Sequence, residues 1–478
     1  MDLPGPHRGL RKRSGEGGPV LDRARLLAYA EGERGRFEEL LEAFVAIPTV
    51  SADPARAADI ERGCELAVET IRSFGGRPDV HRPRHGYPVI HGVFDESPSL
   101  PTVTVYNHLD VQPASRDDGV WRTDPFVLRR EGDRYFGRGT TDDKGPALSA
   151  LFGVRTARES GVPVNLRVLW EFEEEVGSAG FEEVIRTAAS KLRTGSILVS
   201  DTVWLTRTQP ACPTSLRGFQ GFRFVLQTGE EDRHSGDVGG PGRNPIAELM
   251  GLVCKIHDPD TGRVKIPGFY ADVVRPSRRE LEDFRRSGFS LRAYKKDFRL
   301  RSLRTNDPLE VMKRMWALPT FEVHGVAGGY AGPGLKSIVP GRAEVFASCR
   351  LVANQTPEKI RRLVTSFVKK HAPDVEVHAE GGAFPYRGVT TGPLADAVRE
   401  AMRFGFGRKP VFVRDGGTIG AVVTMEKVLR CPVLFLGVSL PEHGYHAPNE
   451  NFDWGQASRG MAAFARYFEL VAGMGVRR

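Results

Sequence analysis

The chain has 478 residues, 27% charged and 40% hydrophobic, with a formal net charge of +8. These proportions exclude disorder throughout, and the lack of any run of about 18 apolar residues leaves no candidate spanning helix. Five cysteines (Cys64, Cys212, Cys254, Cys349 and Cys431), widely spaced and without a CxxC pair, argue against a disulfide framework or thiolate zinc and read as buried thiols.

Residues 1–25 carry Gly, Pro and Arg without periodicity and read as a mobile basic tail. The start has no apolar core of the secretory type, so a cytoplasmic protein is expected. Phe37, Leu40, Leu41, Phe44 and Val45 then keep helical spacing until Pro48 stops it. A second helix is expected over 57–74. Strand-length apolar runs follow at 102–106, 166–172 and 196–200, with a helix expected over 147–159. This alternation predicts an α/β domain with a mostly parallel central sheet, in which reactive groups collect at the carboxyl ends of strands.

After Asp201 the texture changes, and LRGFQGFRFVLQTG opens what reads as a new sheet. A helix over 394–402 and a strand over 433–436 return to the first pattern. The expected organisation is a catalytic domain in two segments, 26–213 and 384–478, interrupted by an inserted α+β domain over 214–383. Within the insert, residues 285–304 interleave Phe289, Tyr294 and Phe298 with many bases. Such a pattern can stack on and neutralise nucleic acid, but no GxxG, RNP or helix-turn-helix signature accompanies it, so a solvated amphipathic stretch is the preferred reading.

The chemistry gathers at the predicted strand ends. In NHLDVQP, His108 and Asp110 share a side of the chain while Leu109 turns to the core. FGRGTTDDKGP follows, where adjacent Asp142 and Asp143 repel each other and call for a cation, either Lys144 or a metal. WEFEEEVGS sets Glu173, Glu174 and Glu175 directly after an apolar strand, too many carboxylates to bury unpaired. SILVSDTVW adds Asp201, and the loop LPEHGYHAPNE adds His443, His446 and Glu450. Imidazole and carboxylate donors without thiolate suit catalytic zinc, and two ions sharing one carboxylate is an economical arrangement for five donors. Water held there loses its proton near neutrality, and an adjacent carboxylate can accept it.

In this order and spacing, NHLDVQP, GRGTTDDKGP, EFEEEVGS, VSDTVWL, DRHSGDVGG and YHAPNE resemble the di-zinc metallopeptidases of cytosolic non-specific dipeptidase and carnosinase. Aminoacylase and succinyl-diaminopimelate desuccinylase are more distant relatives. The likeness spans about residues 35–475 and implies a zinc-exopeptidase-like catalytic domain with an inserted lid and dimerisation domain. It implies that His108, Asp142 and Asp201 hold one divalent ion and Asp142, Glu175 and His446 the other, zinc first, with manganese or cobalt as alternatives. Asp110 would orient His108, and Glu174 would be the general base. His234 would cross to the neighbouring subunit of a homodimer and stabilise the oxyanion there. Arg350 and Thr418 would bind substrate, the guanidinium gripping a carboxylate.

The loop RDGGTIG departs from the dipeptidase pattern, with Gly420 where proline is common and an acidic Asp415. Asp at position 201, the Trp of DTVWL and the LRGF opening of the insert resemble the dipeptidase branch, which takes substrates with a free amino group. The expected activity is therefore a zinc-dependent dipeptidase acting on small peptides; the rival is a deacylase or desuccinylase of N-acyl amino acids with the same di-metal chemistry. A metal-free binding protein on this fold would normally have lost a ligand or Glu174. No membrane association is expected.

Overall fold

The structure, a computed structural model, describes residues 21–475. The expected tail lies mostly outside that span, and its end needs correction. Leu21 is buried and Asp22 accepts the Arg25 N–H at 2.9 Å, capping the helix Arg23–Gly32. This helix buries only Leu26 and Ala30, too few apolar positions to show a period. The helix Arg34–Val45 buries Phe37, Leu41, Phe44 and Val45, and Ala57–Ser73 buries Ile60, Cys64, Ala67 and Ile71, each at helical spacing.

A six-stranded sheet forms the body, in the spatial order Arg77–His81, Val89–Phe94, Asn165–Glu171, Thr102–His108, Ser196–Val199 and Val433–Phe435. The last four strands run parallel; the first two pair antiparallel. Alternation along the parallel strands feeds two layers. Val103, Val105, Leu166, Val168 and Leu198 pack in one core with residues of Lys144–Glu159 and Trp454–Met474. Tyr106, Leu169, Ile197 and Val199 pack in the other with Ala179–Thr187 and Gly420–Leu429. Each fully buried aliphatic or aromatic side chain stabilises the fold by roughly 1.5–3 kcal/mol.

The insert has its own four-stranded antiparallel sheet, in the order Thr320–Gly328, Arg342–Leu351, Gly218–Gln227 and Glu376–Ala383. Ala343, Val345, Ala347, Cys349 and Leu351 point into its core with the helices Pro245–Ile256 and Pro357–His371. By alternation Glu344, Phe346, Ser348 and Arg350 occupy the opposite face. Not all of the insert stands apart from the body. Phe284, Met312 and Trp316 share the core of Val411, Phe412 and Val413, and Arg414 pairs with buried Glu280 at 2.7 Å.

The cysteine expectation holds for Cys64, Cys212, Cys349 and Cys431 but not for Cys254, which is exposed. Its helix buries Leu249, Leu252 and Ile256, which leaves position 254 on the outward side. In the basic stretch, Phe289 packs beside Trp316 with ring centroids 6.4 Å apart, and Tyr294 lies between Phe289 and Phe298, its ring tilted against both. Phe289 and Tyr294 are thus engaged by neighbouring rings, while Phe298 remains 61% exposed. Among the described residues no helix is long and apolar enough to cross a membrane.

Candidate metal centre

The parallel strands deliver their carboxyl ends to one side of the body. Thr102–His108 ends on His108, Asn165–Glu171 runs into Glu173–Glu175, and Ser196–Val199 runs into Asp201. The turn before Lys144–Glu159 brings Asp142, and the loop after Val433–Phe435 brings His446. His108 Nε2 lies 3.0 Å from Asp142 Oδ1 and 3.8 Å from Asp201 Oδ2. His446 Nε2 lies 2.9 Å from Asp142 Oδ2 and 3.1 Å from Glu175 Oε2. Two triads result, His108–Asp142–Asp201 and Asp142–Glu175–His446, each with its donor atoms within 4.8 Å of one another. Asp142 belongs to both and offers one oxygen to each.

Two neighbouring carboxylates, Asp110 and Glu450, hold this arrangement. His108 Nδ1 faces Asp110, 3.3 Å from Oδ1 and 3.1 Å from the backbone oxygen, which leaves Nε2 for the centre. The same Asp110 carboxylate accepts from Ser51 Oγ at 2.6 Å and from the backbone N–H groups of Glu174 and Glu175 at 3.2 and 3.1 Å. It therefore couples the ring of His108 to the glutamate turn. Glu450, fully buried, accepts the backbone N–H groups of Gly139, Thr141 and Asp142 and the guanidinium of Arg138, clamping the Asp142 turn.

The other candidates turn elsewhere. His443 is buried against Asp453, with Nε2 3.0 Å from Oδ2, and its Nδ1 accepts the Leu440 N–H. Glu173 Oε2 accepts the Gly180 N–H at 2.9 Å, and Asp143 accepts from Asn107 Nδ2 at 2.7 Å. Lys144 points away from the acidic pair, its Nζ donating to the carbonyls of Phe44 and Ile47 at 2.8 and 3.0 Å. Of the two cations considered for that turn, the lysine is thus not the one beside the carboxylates.

The electrostatics describe a site built for positive charge. Burial pushes Asp142 up, but hydrogen bonds from His108 and His446 outweigh it and hold the carboxyl well below its usual range. Burial raises Asp201 to about 7, and Asp142, Glu175 and Asp415 add repulsion that His108 opposes. Glu174 is raised by burial and by Asp201, Glu175 and Asp110, with His108 opposing. Hydrogen bonds to Asp142 and Glu175 lift His446 to about 10. Glu175 Oε1 is buried without a hydrogen-bond partner. Two hard or borderline divalent cations fit this donor set.

A cleft of about 310 Å³ opens over the triads and is lined by Asp142, Glu174, Asp201, Arg350, Asp415 and Thr418, among others. Arg350 reaches it from the insert sheet, its Nη1 donating to Thr418 Oγ1 at 3.2 Å, and among the described residues no carboxylate lies within ion-pair distance of it. Thr418 Oγ1 in turn donates to the Arg217 carbonyl at 2.6 Å. Asp415 accepts the Gly417 N–H at 2.7 Å and otherwise faces the cleft. His234 does not line it. That histidine sits on the short strand Arg233–His234, paired with Ile338–Val339, with its side chain 66% exposed.

Sequence reasoning missed Ser51, which lies far from any motif, and Gln112, whose Nε2 donates to Glu175 Oε2 at 2.6 Å. Gln112 stands inside NHLDVQP, so its motif was a usable signal. Tyr445, beside His446 at the cleft wall, was also passed over.

A mostly parallel α/β body, an inserted lid and an acid-and-imidazole cluster at the strand ends define a metal-dependent hydrolase. A sequence model of Peptidase family M20/M25/M40 matches residues 104–470, and the chain belongs to that family. It is 29% identical over 466 residues to the Beta-Ala-His dipeptidase of Rattus norvegicus, covering 93% of this chain and 94% of the relative. It is 30% identical over 473 residues to the Cys-Gly metallodipeptidase dug1 of Schizosaccharomyces pombe, covering 94% and 98%. The fold superposes on human carnosine dipeptidase 1 with a TM-score of 0.78 at 28% identity, covering 95% of this chain and 100% of the other. An M20 family metallo-carboxypeptidase from Sulfolobus solfataricus gives 0.81 at 27% identity, covering 91% and 99%.

Proposed function

We propose that the chain is a zinc-dependent dipeptidase that hydrolyses the amide bond of short peptides with free termini. The observation that carries this is Asp142 shared between two triads, with Glu174 and Arg350 lining the same cleft. In this reading His108, Asp142 and Asp201 hold one zinc and Asp142, Glu175 and His446 the other. Such ions, when bound, polarise a carbonyl and bring the pKa of water toward neutrality. Glu174 takes the proton of the attacking water and returns it to the leaving amine. Asp110 keeps His108 in the tautomer and orientation its role requires.

Arg350 grips the peptide carboxylate with its guanidinium, steadied by Thr418. Asp415 stands in the same cleft with no basic side chain within ion-pair distance among the described residues, and it suits a substrate ammonium. That group favours an unblocked dipeptide over an N-acyl amino acid, the substrate of the rival deacylase reading. His234, exposed and outside its own cleft, is assigned to the active site of a partner in a homodimer, where it stabilises the oxyanion. The exposed strand residues Val323 and Val326 supply apolar surface for that contact. The enzyme works in the cytoplasm.

The test is a panel of dipeptides and their N-acetyl forms on zinc-reconstituted protein. Cleavage of the unblocked peptides supports the proposal; cleavage of the blocked forms alone replaces it with the deacylase.

A further inference from the structure

A groove of about 610 Å³ opens in the insert, and no residue of the metal centre lines it. Its walls carry Arg263, Arg275, Arg304 and Arg314 against one carboxylate, Glu322. Arg304 is the last base of the 285–304 stretch, which catalysis leaves unused. Two of the guanidiniums are held in place by backbone carbonyls. Arg304 Nη1 donates to the carbonyls of Asp260, at 2.9 Å, and Pro259; Arg314 Nη1 donates to Thr261 at 2.9 Å. Arg263 and Arg275 are exposed, and among the described residues neither has a carboxylate within ion-pair distance. Thr320 Oγ1, at the groove wall, is buried without a hydrogen-bond partner.

We propose that this groove is a binding site for a small phosphate ester. Arg314 Nε is also paired with Glu310 Oε1 at 3.3 Å, so four guanidiniums against Glu322 and Glu310 leave an excess of about two positive charges. A phosphate dianion brings two charges and three acceptor oxygens, and the planar forks of arginine match those oxygens in pairs. Positioned donors reduce the ordering cost of binding, and the carbonyl-held Arg304 and Arg314 are such donors. The volume admits a molecule larger than inorganic phosphate and excludes a folded partner. A nucleic-acid strand would instead follow the exposed bases of 285–304 along the surface.

The experiment is calorimetric titration of adenosine 5′-monophosphate into the metal-loaded full chain at low salt, with adenosine as the uncharged control. One site is expected, absent for adenosine and unchanged by Arg350→Ala, which separates it from the catalytic cleft. Arg263→Glu combined with Arg275→Glu should weaken it by about tenfold or more without altering metal content or the melting temperature. The single variants Arg263→Gln and Arg275→Gln should each weaken it by a smaller factor, and they serve if the double variant misfolds. Equal affinity in wild type and these variants, equal binding of adenosine, or no heat with wild type each overturns the proposal. So does displacement by a single-stranded oligonucleotide whose affinity depends on Arg285 and Arg286.

Discussion

Glu450 holds Asp142 by its backbone: Oε1 accepts the Asp142 N–H at 3.1 Å, and both residues are buried. The carboxylate that both triads share is therefore positioned by a second carboxylate from the far end of the chain. Glu450→Gln keeps the shape but removes the charge that Arg138 and three N–H groups meet. Zinc affinity should fall about 10- to 100-fold, as for other groups that orient ligands. Competition with a chromophoric chelator measures it, and unchanged affinity refutes the role.

Glu174→Gln should retain full metal content while turnover falls by roughly two to four orders of magnitude, because proton transfer is lost and the donor set is intact. Metal analysis alongside steady-state kinetics checks both halves. A variant that loses its metal instead would place Glu174 among the ligands.

His234→Ala should cripple turnover with zinc content unchanged. Mixed with Glu174→Gln protein, it should regain activity, because one site of each hybrid dimer then has an intact Glu174 and a partner's His234. Proven subunit exchange without recovered activity rules out the crossing histidine.

Arg350→Lys should reduce kcat/KM for unblocked dipeptides by about 10- to 100-fold, mostly through KM, since an ammonium cannot reproduce the guanidinium fork. Asp415→Asn should raise KM for the same peptides and leave N-acetyl peptides unaffected. Equal effects on both substrate classes would remove Asp415 from ammonium recognition.

Acid should destabilise the fold partly through His91, away from the metal centre. Burial lowers its pKa to about 4, with repulsion from Arg167 and His81 added and Asp79 and Asp95 opposing. The unfolded chain, with a histidine pKa near 6.5, binds more protons than the fold between those values, so stability drops as pH falls from about 6.5 to about 4. The loss attributable to this residue is about 3 kcal/mol when complete. Urea unfolding across that range should show a shallower pH slope in His91→Asn, and an identical slope would discount the residue.

Much of the body was legible because its strands are buried on both faces and flanked by turn residues, as in Thr102–His108 and Ser196–Val199. The motifs at their ends stood out because carboxylates crowd where solvation alone would not favour them. Glu450 was visible as a donor in a loop, yet its task is to accept backbone N–H groups, which no side-chain pattern announces. Asp110 showed its link to His108 through spacing, whereas its hold on the Glu174 and Glu175 backbone needs the fold. The Arg23–Gly32 helix stayed hidden because its contacts to the body are few and partly polar, such as Tyr29 to Glu159.

His446 and Glu450 follow the other residues of the two triads by more than two hundred positions, and the long helix Trp454–Met474 comes directly after their loop. A chain still short of them carries His108, Asp142 and Asp201 but has neither the second triad nor the carboxylate that holds the Asp142 turn. A chain cut short before His446 therefore lacks the second triad and, with it, the chemistry of a paired-ion site.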